Sequence, residues 1–144
     1  MSITRFLPVL LVAAGPSAAA CHAQTLDPAK LKDKVVIRVG QTLAVQFDRK
    51  GDALSRPKIV KAVVENPPTL SLDFRDQEKM LYLTAKNPFA KNLKYRALAR
   101  HKGHKNYVET SIAPVMAGLF GVEIWQEPIE ELVLFDFKLV SEKP

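Results

Sequence analysis

The sequence predicts an all-β domain, and three observations lead there. Apolar residues recur at every second position along most of residues 35–144, proline and glycine break the pattern about every ten residues, and no amphipathic helix is found beyond residue 23. An alternating strand has one apolar face. Where no helix is at hand only another sheet can cover that face, so the strands require a closed two-layer arrangement.

The strands follow in order. Val35, Ile37 and Val39 begin the pattern, and beyond Gly40 the set Leu43, Val45 and Phe47 alternates with Thr42, Ala44, Gln46 and Asp48. The polar stretch Arg49 to Pro57 is expected to separate these two strands from a β-branched one at Ile59 to Val64. Asn66-Pro67-Pro68 stops that element, since proline cannot donate to a ladder and restricts the residue before it. Leu70, Leu72 and Phe74 face one way while Thr69, Ser71, Asp73 and Arg75 face the other, which makes this the clearest half-buried strand. Asp76-Gln77-Glu78 turns it into Met80 to Ala85, its hairpin partner. Asn87-Pro88 turns the chain again, and Leu93, Tyr95, Ala97 and Ala99 form the inner side of the next strand. Tyr107 to Pro114 and Val122 to Trp125 supply two more. Val133, Phe135, Phe137 and Leu139 are expected to line the inner face of the last.

Eight or nine short strands at this spacing predict an immunoglobulin-like two-sheet antiparallel sandwich over residues 35–144, with a small β-barrel as the alternative. Residues 1–23 read as a signal peptide: Arg5 is the positive start, Phe6 to Ala14 the apolar run, and Gly15-Pro16-Ser17 the break before Ala18, Ala19 and Ala20. Residues 24–34 read as an N-terminal leader or spacer. A cut after Ala23 gives a periplasmic or secreted protein. The rival is a lipoprotein signal, because Ala18-Ala19-Ala20-Cys21 resembles a lipobox and would place a lipid anchor on Cys21. Cys21 is the only cysteine, so no intramolecular disulfide is available and the fold stands on its core.

The chain carries a net charge of +6, unevenly spread. Lys86, Lys91, Lys94, Arg96, Arg100, Lys102 and Lys105 share a segment without an acid, whereas Asn106 to Phe137 holds Glu109, Glu123, Glu127, Glu130, Glu131 and Asp136 and no base. On separate surfaces the two halves would make a dipolar protein that orients its partners. On adjacent strands they would neutralise each other in cross-strand pairs. The basic patch Lys91, Lys94, Arg96, Arg100, Lys102 and Lys105 is the candidate surface for an anionic polymer or a membrane surface. Export removes nucleic acid as a partner.

Ile112 to Trp125 holds one charge in a run broken by Pro114, Gly118 and Gly121, so part of it must be loop. Met116, Leu119 and Phe120 are the candidate partner-binding residues if that loop is exposed. Folded back, Leu119 and Phe120 would instead plug the end of the fold. Trp125 reads as a core residue or, alternatively, a carbohydrate platform. His101 and His104 have the spacing of a metal pair, but Lys102-Gly103 and Lys105 point to a solvated hairpin tip, and neither metal nor cofactor is expected. No catalytic residue is assigned: Ser55, Ser71 and Ser111 lack a nucleophile elbow, and Glu130-Glu131 sit where alternate side chains point apart. These features predict a non-catalytic exported envelope protein that binds another envelope protein or serves as an assembly module. The alternative is an envelope carbohydrate-binding domain or a small periplasmic enzyme.

Overall fold

The computed structural model describes residues 26–141. Residues 1–23, read above as a signal peptide, and with them Cys21 and the expected cut after Ala23, lie outside these residues. Among them the chain is all-β with almost no helix: β1 (Val35–Arg38), β2 (Thr42–Lys50), β3 (Ala53–Val60), β4 (Leu70–Gln77), β5 (Met80–Lys86), β6 (Asn92–His101), β7 (Val108–Thr110), β8 (Phe120–Trp125) and β9 (Ile129–Val140). They form one curled antiparallel sheet in the order β7-β6-β9-β3-β2-β4-β5-β8, with β1 also paired to β9. The join between β9 and β3 is narrow, a single register pair of Ala53 with Lys138, supported by the Leu139 N–H donating to Asp52 O at 2.8 Å.

Curling brings the two ends of the sheet onto one core. Leu70, Leu72 and Phe74 of β4 have no exposed surface, and they share a cluster with Leu93, Tyr95 and Ala97 of β6 and Leu132 and Leu134 of β9. Burial of each large apolar side chain stabilises the fold by about 1.5–3 kcal/mol relative to leaving it in water. Aromatic contacts tie the halves together: Phe47 of β2 meets Phe137 of β9 at 4.8 Å between ring centroids, and Tyr95 stacks on Phe137 at 5.4 Å. Burial pushes the Tyr95 hydroxyl pKa well above its ordinary value, with the nearby Glu123 charge adding to the effect.

Four strand assignments differ from expectation, the simplest being that Tyr107 to Pro114 yields only the three residues of β7, because Pro114 and the loop before it leave the ladder. The polar stretch Arg49 to Pro57 is no separator: it builds the turn end of the β2–β3 hairpin, turned at Gly51-Asp52. Pro57 is tolerated because the register slips there, from Gln46 opposite Lys58 to Asp48 opposite Ser55, so the missing donor falls in a bulge. Conversely β3 stops at Val60, which leaves Val63 and Val64 exposed in the loop to β4. In β9, Val133 and Phe135 lie on the outer side and not with Phe137 and Leu139. Asp136 adopts φ 58° in a β6–β9 register shift, and that extra residue flips the alternation.

That outward pair explains the leader. Leu98, Val133 and Phe135 form a second apolar cluster on the outside of the sheet, and Leu26, Leu31 and Tyr107 pack against it. Asp27 accepts from the Ala29 N–H at 3.0 Å to start a short 3-10 turn at Pro28–Lys30, and Lys34 Nζ donates to Pro28 O at 2.7 Å. Residues 26–34 thus cover part of the sheet rather than merely leading into it.

Candidate functional site

Asn87 positions the apolar loop. Fully buried between β5 and β6, it donates from Nδ2 to the carbonyls of Lys91, Val115 and Met116 at 2.9, 3.0 and 3.2 Å, while Oδ1 accepts from the Phe89 N–H at 2.8 Å. Val115 is consequently pinned inside and bridges Leu93 through two backbone bonds of 2.8 and 2.9 Å. The chain then makes a tight turn, with the Leu119 N–H donating to Met116 O at 3.0 Å and Gly118 at φ 71°, a conformation other residues rarely adopt. Val115 is therefore the residue that enters the core, and Met116 and Leu119 are left exposed at the tip.

The tip runs directly into β8, where period two does the rest. Gly121, Glu123 and Trp125 face inward, and Phe120, Val122 and Ile124 point out with 64%, 52% and 54% of their surface exposed. Since β8 pairs only with β5, this stripe lies along an edge of the sheet. Lys86 of β5 stands opposite Phe120 with Nζ 5.2 Å from the ring centroid. Beside it opens a groove of about 500 Å³ lined by Val63, Val64, Glu65, Lys86 and Gly118. Phe120 was singled out in the sequence. In the sequence Val122 and Ile124 register only as strand residues, although their alternation with Gly121, Glu123 and Trp125 is the signal that Phe120, Val122 and Ile124 share one wholly apolar face.

The basic patch is largely paired. Arg96 binds Glu109 of β7 through two bonds of 2.8 and 2.7 Å, Arg100 reaches Glu130 at 2.8 Å, and Lys91 meets Asp52 at 2.8 Å. Basic β6 thus lies between acidic β7 and β9, the neutralising arrangement of the two considered. Lys94, Lys102 and Lys105 form no ion pair among the described residues, and Lys94 stands opposite Lys138.

Glu131 is the centre of a network the sequence did not announce. It accepts from Arg38 Nε at 2.9 Å and from the Tyr107 hydroxyl, with Arg100 at 3.9 Å. Burial pushes the Glu131 carboxyl pKa up, but the hydrogen bonds from Tyr107 and Arg38 and the two guanidinium charges outweigh it, and the net shift is downward. His101 pairs with Glu127 at 3.1 Å, and the rings of His101 and His104 meet edge-on at 6.1 Å between centroids. Trp125 packs edge-on against Phe74 at 6.1 Å and donates its Nε1–H to Thr110 Oγ1 at 3.0 Å, so it bridges the two ends of the curled sheet. No family model, curated protein or solved structure matches the chain.

Proposed function

We propose that this chain is a non-catalytic exported module of the cell envelope that binds another protein through the apolar tip and the outer face of β8. The observation that carries the reading is the unbroken exposed series Met116, Leu119, Phe120, Val122 and Ile124, placed on a sheet edge and fixed from behind by Asn87 and Val115. Solvent-facing apolar residues that line one edge are costly to keep unless something covers them. The reading takes the curled sheet as an immunoglobulin-like sandwich closed by the Trp125–Thr110 contact, which holds the tip at one end of a rigid frame. Export rests on the signal-like start, and intact mass tests it: a chain beginning at Gln24 is a soluble envelope protein, and a lipid-modified Cys21 is an anchored one.

The docking role is tested by the double substitution Leu119→Ser/Phe120→Ser. Capture from an envelope extract should fall at least about tenfold, the loss of one or two anchor side chains. The urea midpoint should hardly move, because exposed substitutions cost within about 0.5 kcal/mol. Unchanged capture would reject the reading.

A further inference from the structure

We infer that the partner of β8 is a second copy of this chain, added edge to edge and antiparallel across a two-fold axis through Val122. This deepens the reading of β8 as a docking surface and rests on it.

The backbone comes first. The Asn87 N–H donates to Leu119 O at 2.9 Å, so residue 119 turns its polar groups towards β5. By the alternation of an antiparallel ladder, residues 121, 123 and 125 do the same, and residues 120, 122 and 124 direct their N–H and C=O groups away from the sheet. Those outward groups belong to the same three residues whose side chains form the exposed stripe. An antiparallel second copy centred on Val122 sets Val122 against Val122 and Phe120 against Ile124. That one register pairs every outward backbone group and every outward side chain at once. Aromatic and β-branched side chains opposite each other are among the favourable cross-strand pairs. The strand Phe-Gly-Val-Glu-Ile is thus palindromic in the property that matters.

Charge and area agree with this register. Glu123, the one charge of β8, faces inward and accepts from the Ala113 N–H at 2.8 Å, and its opposite number is Gly121, which has no side chain. The two copies of Lys86 would stand roughly 20 Å apart by strand spacing and rise, beyond the Debye length at physiological salt. Met116, Leu119, Phe120, Val122 and Ile124 are each at least half exposed. Together they offer roughly 500 Å² per protomer, so full coverage in both copies would reach at most about 1,000 Å² in total, the lower bound for a specific interface. A reversible dimer of micromolar affinity is expected. Of the other free edges, β7 spans only Val108–Thr110 and β1 only Val35–Arg38, and the open side of β3 is broken by the bulge at Pro57, so none offers a comparable straight run.

Sedimentation of the full chain over about a hundredfold range of concentration should show monomer passing to dimer with a micromolar midpoint. Register is read by cysteine pairing in a Cys21→Ser background. Val122→Cys alone should oxidise to a disulfide dimer, since ladder partners lie about 5.5 Å apart at Cα. Phe120→Cys alone should not, but mixed with Ile124→Cys it should give a cross-linked heteropair. Val122→Lys should abolish the dimer and keep the thermal melt. A chain that stays monomeric throughout, or a dimer in which Val122→Cys fails to link, overturns the inference. In either case loss of envelope-protein capture by Leu119→Ser/Phe120→Ser would leave the broader docking role standing, and retained capture would remove that role instead.

Discussion

Val115 closes over Gly121 so tightly that a Cβ on Gly121 would sit 2.7 Å from Val115 Cγ2. The glycine is needed for close approach and not for a special turn. Gly121→Ala should therefore destabilise the fold by about 1–3 kcal/mol through overpacking. In urea unfolding, Gly121→Ala combined with Val115→Ala should cost less than the sum of the two single changes, since the second makes room for the first. Additive costs would show that the two side chains do not share this space.

Asn87 supplies a second prediction. Its removal takes the acceptor from the buried Phe89 N–H and the donor from Lys91 O, and leaves Val115 O and Met116 O with only their backbone donors, the Leu93 and Leu119 N–H groups. Asn87→Ala is expected to cost about 2 kcal/mol or more, since the two groups that lose their partner outright cost about 1–3 kcal/mol each. Hydrogen exchange should show the loss concentrated at Val115 to Leu119, because those residues hang from this side chain. A uniform loss of protection would point instead to a general core defect.

Acid should weaken the fold through Glu131. Its folded-state pKa lies below the ordinary carboxylate value of 4.5, so the unfolded chain binds the proton more readily and stability rises with pH across the interval between the two values. The contribution is complete above the ordinary value and is lost as pH falls through the lowered one. Urea midpoints measured from neutral pH into that range should decline less steeply for Glu131→Gln than for the unsubstituted chain. Glu109, lowered chiefly by its hydrogen bond to Arg96, acts in the same direction but is more exposed and should count for less.

Leu31→Asp tests the leader. A carboxylate against Leu98, Val133 and Phe135 should loosen residues 26–34 and uncover that cluster, raising the binding of an apolar dye at native pH. Protease should then cut near Pro28 to Lys34 before the sheet unfolds. Resistance equal to that of the original chain would show that the leader contributes nothing to covering the face.

What could be read from the residues follows how water divides them. β4, β5 and the inner side of β6 were legible because a strictly half-buried strand must alternate, as Leu70, Leu72 and Phe74 do. β9 was not, since Leu132 to Phe135 are buried on both faces and a continuous apolar run carries no phase for the Asp136 bulge to reveal. The β2–β3 hairpin escaped because much of it is solvated and its pairing rests on backbone bonds that leave no mark on composition. At the tip, Met116, Leu119 and Phe120 were singled out by lack of charge, yet the same residues serve an exposed tip or a plug. The difference lies in Asn87, whose three carbonyl partners span residues 91–116 and cannot be foreseen from local pattern.

The arrangement of β9 has a kinetic meaning. β1 has no strand partner but this one, the last of the nine in chain order, and β6 has only β7 at Ala97–Ala99 besides it, so two earlier segments lack a complete partner until residues 129–140 arrive. Such distant pairing must bear the entropy of closing long loops before any contact rewards it, and it makes for slow folding. A nascent chain cut short of Ile129 should remain open and protease-sensitive. On the export route proposed above, a fold sealed by β9 would stay threadable until residues 129–140 had passed.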